Sequence, residues 1–501
     1  FVRCVTCLSP ATTEPSWLVH TPSVVSYASL LNATIQNLCF ASPRTTWPTL
    51  LLTPATVVEA RACVACCRRH GLTVHARSGG HDYKGLSYRS VLRSAGAARP
   101  FAVVDVAALR CPRRRRAPRG DDSGGALGFP TGIYPTVCVG GHLSGGGFGP
   151  MMRKHGLGVN NMVDGDERLL DRVALGEGHF WAIRGGGGRS FGVVVSWTVP
   201  LVPVPRVISA FTVRRLVRCG DRRQTQATVW LLAKWQRVAH ALPDDLFVKA
   251  AMESELDDTG ERHPLVTFKL LFLGGNCSGM VAEMSTHLPE LGITASDCRD
   301  MSWIQSMLYF YGYTSGQAAV EVLLDQSLQP KDYCVTTPIP AAGLAGLLAR
   351  VVEDRGGSID VNPQGGAMSA TPKSDTRYLY NVLYFVKWGG DSNVSYENAH
   401  LGWVRGVHRW MAPYASASPW AAYVNFRDQD LGQNMDGETT YDEARAWGEM
   451  YFRGNFRRLA MVKAEVDPDQ VFWSEQSIPP LFEVGEETGE WHSQSGLFSD
   501  S

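Results

Sequence analysis

A histidine that follows two glycines is the first residue of this chain with clear chemical potential. His81 stands in Arg77-Ser-Gly-Gly-His-Asp-Tyr, after the apolar segment that begins at Leu72. Gly79 and Gly80 permit tight or left-handed backbone geometry and a close approach to a ligand. The pattern predicts a glycine-rich turn that presents an imidazole, and such turns more often have only a structural role.

Two further glycine clusters point to a cofactor. One is Gly140-Gly-His-Leu-Ser-Gly-Gly-Gly-Phe-Gly, and the other is Arg184-Gly-Gly-Gly-Gly-Arg-Ser-Phe-Gly. Serial glycines bring backbone N–H groups to one point, which suits a pyrophosphate or another polyanionic tail. A single cluster is weak support, but three clusters beside buried strands predict one large cofactor site.

The segments that must position these loops alternate between strands and helices. Strands are predicted at 49–53, 72–76, 101–106 and 193–199. A helix is predicted from Pro54 to about His70, with Thr53 as its N-cap and Gly71 after its end. This alternation predicts an α/β core for the N-terminal part.

From about residue 206 the pattern changes to α+β. A helix is predicted at 228–241, and strands at 265–273, 378–388 and 421–428. The strand at 378–388 mixes polar and apolar residues on both faces and could form the wall of a pocket. A helix rich in aromatic residues is predicted at 439–462, and the polar tail from Gly485 is predicted to be disordered.

Composition excludes several classes of protein. The 501 residues are 44% hydrophobic and 19% charged, which is typical of a globular protein of two domains. Lys plus Arg and Asp plus Glu are equal at 48 each, so the charge favours neither nucleic acid nor a membrane surface. No apolar run reaches the roughly 20 residues of a membrane span.

Sequons and cysteines favour a secreted protein. Asn-X-Ser/Thr sequons occur at Asn32, Asn276 and Asn393, although such short motifs also recur by chance. Twelve cysteines are many for a cytosolic protein. Two Cys-X-X-Cys pairs, at 4–7 and 63–66, mimic a zinc pattern, but their long separation favours a disulfide and we predict no metal site. The chain begins at Phe1, so a signal peptide is expected to have been removed.

Several long motifs in the same order resemble those of plant berberine bridge enzyme-like proteins, most closely the grass members. They are the three loops above, Asn425-Phe-Arg-Asp, Asn455-Phe-Arg-Arg-Leu and Glu475-Gln-Ser-Ile-Pro-Pro. The resemblance extends from Phe1 to about Pro480. It implies a two-domain α+β fold of the vanillyl-alcohol-oxidase type, with an FAD-binding PCMH-type domain and a substrate domain of antiparallel sheet covered by helices. The boundaries that we expect are 1–205 for the FAD domain, 206–435 for the substrate domain, 436–482 for a segment that returns to the FAD domain and 483–501 for the tail.

The resemblance also implies the cofactor and its ligands. FAD is expected to be bonded covalently through its 8α-methyl group to His81, and Tyr83 to lie near the flavin. His142 matches a histidine beside the pyrimidine end of the ring, where a donor would stabilise negative charge. The other residues expected around FAD are Arg77, Ser78, Gly79, Gly80, Asp82, Tyr134, Gly140, Gly141, Gly145, Gly146, Gly147 and Asn425. A matching bridge in relatives implies a Cys4–Cys66 disulfide.

The implied reaction is the oxidation of an alcohol or a carbohydrate hydroxyl. A base takes the hydroxyl proton, hydride passes to flavin N5, and oxygen or another electron acceptor reoxidises the flavin. The candidate catalytic residues are Tyr83, Asn425 and Tyr423.

The chain departs from the family at the groups that would perform this reaction. Tyr134 stands where many relatives have a cysteine that forms a second flavin link, so we predict attachment through His81 alone. Phe426 replaces the tyrosine that is the usual base, and a strand period of two would put Tyr423 on the opposite face. A Lys-X-Gln pair on the facing strand is replaced by Asn381 and Leu383.

Some family segments are also shortened. Between Leu109 and Asp122, where relatives have a strand and a helix, the chain has an arginine-rich run that begins at Cys111. This run is interpreted as a solvated loop, as a polyanion-binding patch or as out-of-frame coding. A strand after Asp164 is reduced to Gly-Asp, and the segments near Tyr333 and after Asp375 are short.

Two hypotheses remain open. The first is a secreted FAD-linked oxidoreductase. The second is a catalytically impaired or degenerate member of the family that keeps flavin only as a structural element.

Overall fold

The architecture comes from a computed structural model. It describes residues 1–9, 15–35, 37, 40–42, 45–90, 99–109, 126–134, 137–162, 164–166, 176–312, 327–370, 378–388, 394–416, 420–435 and 439–482. The arginine-rich run, Asn393 and the tail 483–501 lie outside these residues.

Within the described residues the chain alternates between strands and helices over most of its length. The strands are β1 Val19–His20, β2 Leu50–Leu52, β3 Thr73–Arg77, β4 Phe101–Asp105, β5 Ala126–Gly128, β6 Asp164–Asp166, β7 Ser196–Thr198, β8 Val202–Val204, β9 Ile208–Leu216, β10 Leu246–Leu256, β11 Arg262–Phe272, β12 Arg299–Met301, β13 Ser327–Val335, β14 Gly357–Pro363 and β15 Tyr380–Trp388. The helices are α1 Val2–Leu8, α2 Val25–Asn32, α3 Val57–Arg69, α4 Val139–Ser144, α5 Met152–His155, α6 Glu177–Ile183, α7 Arg222–Val238, α8 Cys277–His287, α9 Trp303–Tyr311, α10 Ala341–Arg350, α11 Val394–Met411, α12 Tyr441–Phe452 and α13 Phe456–Val466.

A small mixed sheet in the order β1-β2-β4-β3 carries the first glycine loop. β2, β4 and β3 are parallel, and every residue of β4 is buried. Alternate residues of β4 pack on opposite sides: Ala102 and Val104 against α1 and α3, Phe101 and Val103 against α2. Because both faces are covered, the sheet holds the end of β3 in a fixed place.

Helix α3 begins later than the sequence predicted. Its N-cap is Thr56, whose side chain accepts from the Glu59 amide while the Glu59 carboxylate accepts from the Thr56 amide. This reciprocal capping box satisfies two N–H groups that a cap at Thr53 would leave open. The prediction of Thr53 was therefore wrong, whereas Gly71, with φ of +67°, follows the helix as expected.

A large antiparallel sheet in the order β12-β9-β11-β10-β14-β15-β13 forms the second core. One face is apolar and packs against α7, α10 and α11, with Val248, Phe268 and Val382 among its buried residues. The strands alternate, so the opposite face carries polar side chains such as Lys249 and Asp360. Helix α9 packs against part of this opposite face, where Phe310 contacts Phe247, and the rest of the face is left for the cavity described below.

The C-terminal segment packs beside the third glycine cluster. The sequence predicted one helix at 439–462, but α12 ends at Phe452 and α13 begins at Phe456. Arg453 separates them with φ of +52°, a conformation that cannot continue a helix. The strand expected at 193–199 is also shorter, because only Ser196–Thr198 pairs, with β6. That pairing preserves a short strand at Asp164–Asp166, where the sequence suggested that the family strand had been lost.

Two disulfides are present among the described residues. One joins Cys4 to Cys66, as the resemblance implied, and connects α1 to α3. The other joins Cys277 to Cys298 and was not predicted. They close loops of 62 and 21 residues, so each restricts the conformations of the unfolded chain, the first more than the second.

Candidate functional site

A deep cavity lies between the glycine loops and the polar face of the large sheet. It encloses about 1690 Å³ of space free of protein atoms, including the part open to solvent. Loop residues on one side include Gly79, His81 and His142, and sheet residues on the other include Lys249 and Asp360. The two cores therefore share one site.

The first loop is held by a buried ion pair. Nε and one Nη of Arg77 donate to Oδ2 of Asp105, at 2.9 and 2.6 Å, across the parallel pair β3–β4. The Arg77 side chain is fully buried, so these two charge-assisted hydrogen bonds to one carboxylate oxygen fix the point at which the chain leaves β3. Further along the loop, Asp82 binds Arg189 at 3.1 Å and connects the first loop to the third.

His81 points into the cavity between two tyrosines. Its ring centre lies 5.3 Å from that of Tyr83 and 5.4 Å from that of Tyr134. Burial lowers the pKa of His81 to about 4, and the opposing effect of Asp82 is smaller. The imidazole is therefore neutral at physiological pH and keeps a nucleophilic nitrogen.

The second loop begins helix α4 at the cavity wall. Gly140, Gly141 and His142 line the cavity, and a Cβ atom on Gly141 would meet no protein atom within 4 Å. His142 is buried, and burial lowers its pKa to about 4 against the effect of a hydrogen bond to the Pro130 backbone. Its Nε2 has no hydrogen-bond partner among the residues that the structure describes.

Three of the expected cofactor glycines lie behind the cavity wall. Gly145, Gly146 and Gly147 are not among the residues that line the cavity, and their contact with FAD stays a prediction. Gly145 packs against the side-chain amide of Asn425, and the Gly147 amide donates to the Tyr423 hydroxyl at 3.1 Å. Their small size lets the segment that contains Asn425 approach the loop.

The segment around Phe426 is not a strand. Residues Val424–Phe426 form a 3₁₀ turn, and Tyr423 precedes it in extended geometry. The prediction of opposite faces was therefore wrong: the rings of Tyr423 and Phe426 lie 5.0 Å apart, and both line the cavity. A turn of about three residues places side chains three positions apart on the same side.

Tyr423 connects the turn to the second glycine loop. Its oxygen accepts from the amides of Gly147 and Phe148, at 3.1 and 3.3 Å, and from Nδ2 of Asn425 at 3.0 Å. Burial raises the pKa of Tyr423, although these donors oppose the shift. The Tyr423 amide donates to Asp332 at 2.8 Å, and burial raises the pKa of that carboxyl well above its usual range.

The sheet contributes residues that the sequence reasoning did not select. Lys249, Asp360, Asn362 and Leu383 line the cavity, together with Phe247 and Phe310. Nζ of Lys249 donates to Oδ2 of Asp360 at 2.7 Å. The signal was a polar residue at every second position of a buried strand, as in Ile359-Asp-Val-Asn. The third glycine cluster, which contributes Gly187, Gly188 and Arg189, was noticed but not selected residue by residue.

Of the two residues at the family's Lys-X-Gln positions, Leu383 lines the cavity and Asn381 does not. Leu383 faces the cavity from β15, whereas Asn381 donates to Asp332 at 3.1 Å and is not part of the lining. The lysine that lines the cavity from the sheet is Lys249 on β10.

The lining fits a dinucleotide cofactor such as FAD. Nε and one Nη of Arg189 are buried and have no hydrogen-bond partner among the described residues, as a cationic contact for an anionic group requires. The bare backbone of Gly141 leaves space against the second loop, because a Cβ atom there would meet no protein atom within 4 Å. The neutral imidazole of His81 opens onto the same space. Arg77, Ser78, Asp82, Tyr134 and Asn425 also line it.

Two of the three sequon asparagines lie on the protein surface. Asn32 at the end of α2 and Asn276 before α8 are exposed. Among the described residues, no helix is long and apolar enough to cross a membrane.

Known proteins match the chain over most of its length. A family model described as berberine and berberine-like matches residues 422–479. The tetrahydroberberine oxidase of Berberis wilsoniae is 39% identical and covers 96% of this chain and 94% of its own. The berberine bridge enzyme-like Cyn d 4 of Cynodon dactylon is 39% identical over 93% of this chain and 91% of its own. The crystal structure of Phl p 4, a grass pollen allergen with glucose dehydrogenase activity, has a TM-score of 0.83 at 34% identity and covers 96% of this chain and 100% of its own.

Fold and site together define an α+β flavoprotein in which a cofactor cradle faces a helix-covered antiparallel sheet. The chain belongs to the plant berberine bridge enzyme-like family of FAD-linked oxidoreductases.

Proposed function

We propose that the protein oxidises a hydroxyl group of a small alcohol or carbohydrate by hydride transfer to FAD that is attached through His81 alone. The observation that carries this proposal is the shared cavity: a neutral His81 and the glycine loops face the polar side of the substrate sheet. The related Phl p 4 has glucose dehydrogenase activity, which supports a carbohydrate hydroxyl as one candidate.

In this proposal, different parts of the chain bind the cofactor and the substrate. Residues 1–205 and 436–482 hold the cofactor, and residues 206–435 hold the substrate. His81 forms the single covalent bond, because the phenol of Tyr134 cannot form the thioether of a cysteine. Arg77, Ser78, Asp82, Arg189 and the glycines at 79, 80, 140 and 141 hold the rest of FAD.

The flavin supplies the hydride acceptor, and oxygen or another acceptor regenerates it. Asn425 and Tyr423 fix the second glycine loop against the turn at Val424–Phe426. Tyr83 packs between His81 and Phe426, with its ring 5.9 Å from that of Phe426. His142, neutral and buried, would contact the cofactor without adding charge.

We also propose that the protein is secreted. Two disulfides and two exposed sequon asparagines suit an oxidising, glycosylating compartment. Glycan occupancy at Asn32 and Asn276 in protein from a eukaryotic host tests this point.

A second candidate is a flavin-binding member of the family without turnover, and Phe426 is the observation that favours it. A phenyl ring cannot accept a proton where the family has a phenol. Both candidates keep the His81 bond, so they differ only in turnover.

Denaturation and anaerobic reduction together test the two candidates. Wild-type protein is expected to remain yellow after acid precipitation, His81→Ala is expected to lose its flavin, and Tyr134→Phe serves as the matched control that keeps it. Anaerobic bleaching by a panel of alcohols and sugars supports the oxidoreductase. Yellow protein that no substrate bleaches supports the second candidate, and colourless wild-type protein contradicts both.

A further inference from the structure

The polar face of the large sheet carries a carboxylate toward the cavity. In the register of β10 and β14, Ala251 is opposite Asp360, and Asp360 is in turn opposite Leu383 on β15. Ala251 is too small and Leu383 too apolar to bind the carboxylate. Lys249, two positions from Ala251 on the same face, binds Oδ2 at 2.7 Å. Among the described residues, the hydrogen bond and the ion pair of Asp360 both use Oδ2, so Oδ1 remains open to a substrate.

Several other groups of the cavity are poorly suited to take a proton. Asp82 is bound by Arg189 and by the Lys84 amide, at 3.1 and 2.9 Å. The Tyr423 oxygen accepts three N–H donors, and burial raises the pKa of that phenol. Burial lowers the pKa of His142 to about 4, so its neutral imidazole is a weak base. Position 426 carries a phenyl ring.

We propose that Asp360 is the catalytic base of this chain and that Lys249 is its positioning residue, a proposal that rests on the proposed oxidation of a hydroxyl. The substrate O–H bond breaks and its proton passes to Oδ1 of Asp360, which becomes a neutral carboxyl group. The carbinol C–H bond breaks and its hydrogen leaves as hydride, with the electron pair, to the oxidised flavin of the family. The alcohol is thereby oxidised to a carbonyl compound, and the flavin is reduced by two electrons.

Lys249 holds the carboxylate in place without occupying both of its oxygens. The side chains of the pair are each 12% exposed, which reduces solvent screening of their attraction. The neighbouring charges on this side of the sheet are Lys269, Glu253 and Lys387; burial and Lys249 lower the pKa of Lys269, while Asp360 and Glu253 oppose that shift. A base on the sheet would approach a substrate from the side opposite the loops, and this leaves the loop side to the flavin.

Substitution in the flavin-loaded protein tests the role of Asp360. Asp360→Asn is expected to keep the flavin content and to lower kcat by about 100-fold or more, the usual range for loss of a general base. Its affinity for the substrate, measured by isothermal titration calorimetry, is expected to stay within about threefold. Glu253→Gln removes a carboxylate from the same face outside the cavity lining and is the matched control with unchanged kcat. Lys249→Met is expected to lower kcat, and Lys249→Arg to retain most of it.

Recovery of kcat by a second proton acceptor would distinguish a catalytic role of Asp360 from a structural one. Phe426→Tyr in the Asp360→Asn background is expected to recover at least about tenfold in kcat, because the phenol supplies a second proton acceptor in the same cavity. Asp360→Asn with wild-type kcat overturns the proposal, and so does a loss of substrate affinity that accounts for the whole effect. Wild-type protein that oxidises nothing in the panel, whether yellow or colourless, refutes the proposed function on which this assignment rests, whereas an active wild type with an equally active Asp360→Asn variant refutes only the role of Asp360.

Discussion

The backbone of Gly145 packs directly against the side-chain amide of Asn425, so that a Cβ atom at 145 would overlap that amide. Asn425 in turn donates to the His142 carbonyl at 3.3 Å and to the Tyr423 hydroxyl at 3.0 Å. One close approach therefore joins the second glycine loop to the turn that carries Phe426.

Gly145→Ala is expected to displace Asn425 and to lower flavin incorporation severalfold, with a loss of about 1–3 kcal/mol in the free energy of unfolding. Absorbance per mole of protein and urea titration measure the two effects. Gly141→Ala is the matched control for stability, because a Cβ there meets no protein atom within 4 Å. Equal stability of the two variants would contradict the role of the Gly145 contact.

Asp105→Ala is expected to cost about 3–5 kcal/mol in the free energy of unfolding. The change leaves the fully buried guanidinium of Arg77 without its carboxylate, and breaking one side of a buried pair has this typical cost. Glu255→Ala removes the partner of Arg214 in a pair whose side chains are 55% and 42% exposed, and is expected to cost less than about 1 kcal/mol. Urea unfolding of both variants provides the comparison.

Phe426→Tyr in an otherwise unchanged chain is expected to raise kcat if proton removal limits turnover. The phenol would join Tyr83 and Tyr423 at the cavity wall, where their rings already lie 5.9 and 5.0 Å from Phe426. Steady-state kinetics with the best substrate of the panel measures the change. An unchanged kcat would contradict the expectation and would show that the missing phenol does not limit turnover.

Acid is expected to destabilise the protein below pH 6.5. Burial lowers the pKa of both His75 and His408 to about 4, whereas the unfolded chain protonates histidine near 6.5. The unfolded state therefore binds more protons between these values, and stability that is complete above pH 6.5 is lost as pH falls toward 4. Each histidine contributes a slope of up to roughly 1.4 kcal/mol per pH unit.

Urea titrations between pH 7 and pH 4 measure this loss. His408→Gln is expected to lose less stability across the interval than wild type, because one buried imidazole no longer has to stay neutral. An identical pH dependence in the two proteins would contradict the assignment.

Local sequence patterns were enough to predict much of the fold and the glycine loops of the site. The glycine before His81 and the glycine after α3 were predictable because only glycine tolerates their backbone geometry, with φ of +69° at Gly80 and +67° at Gly71. Strands such as Phe101–Asp105 were predictable because five buried residues in succession indicate a covered strand. The motif order identified the family, and the matched relatives confirm it. The N-cap of α3 was less predictable, because Thr53 and Thr56 are both good N-cap residues. Thr56 is the N-cap because it forms the reciprocal hydrogen bonds with Glu59.

The sequence alone thus determined the family, the glycine-rich loop that presents His81 and the absence of a phenol at 426. Only the tertiary structure brought Lys249 to Asp360, because 111 residues separate them and their contact depends on the register of β10 against β14. It also placed Tyr423 and Phe426 in one cavity, since a 3₁₀ turn replaced the expected strand. Side-chain spacing follows from local dihedral angles, whereas pairing across a sheet depends on the packing of the whole core.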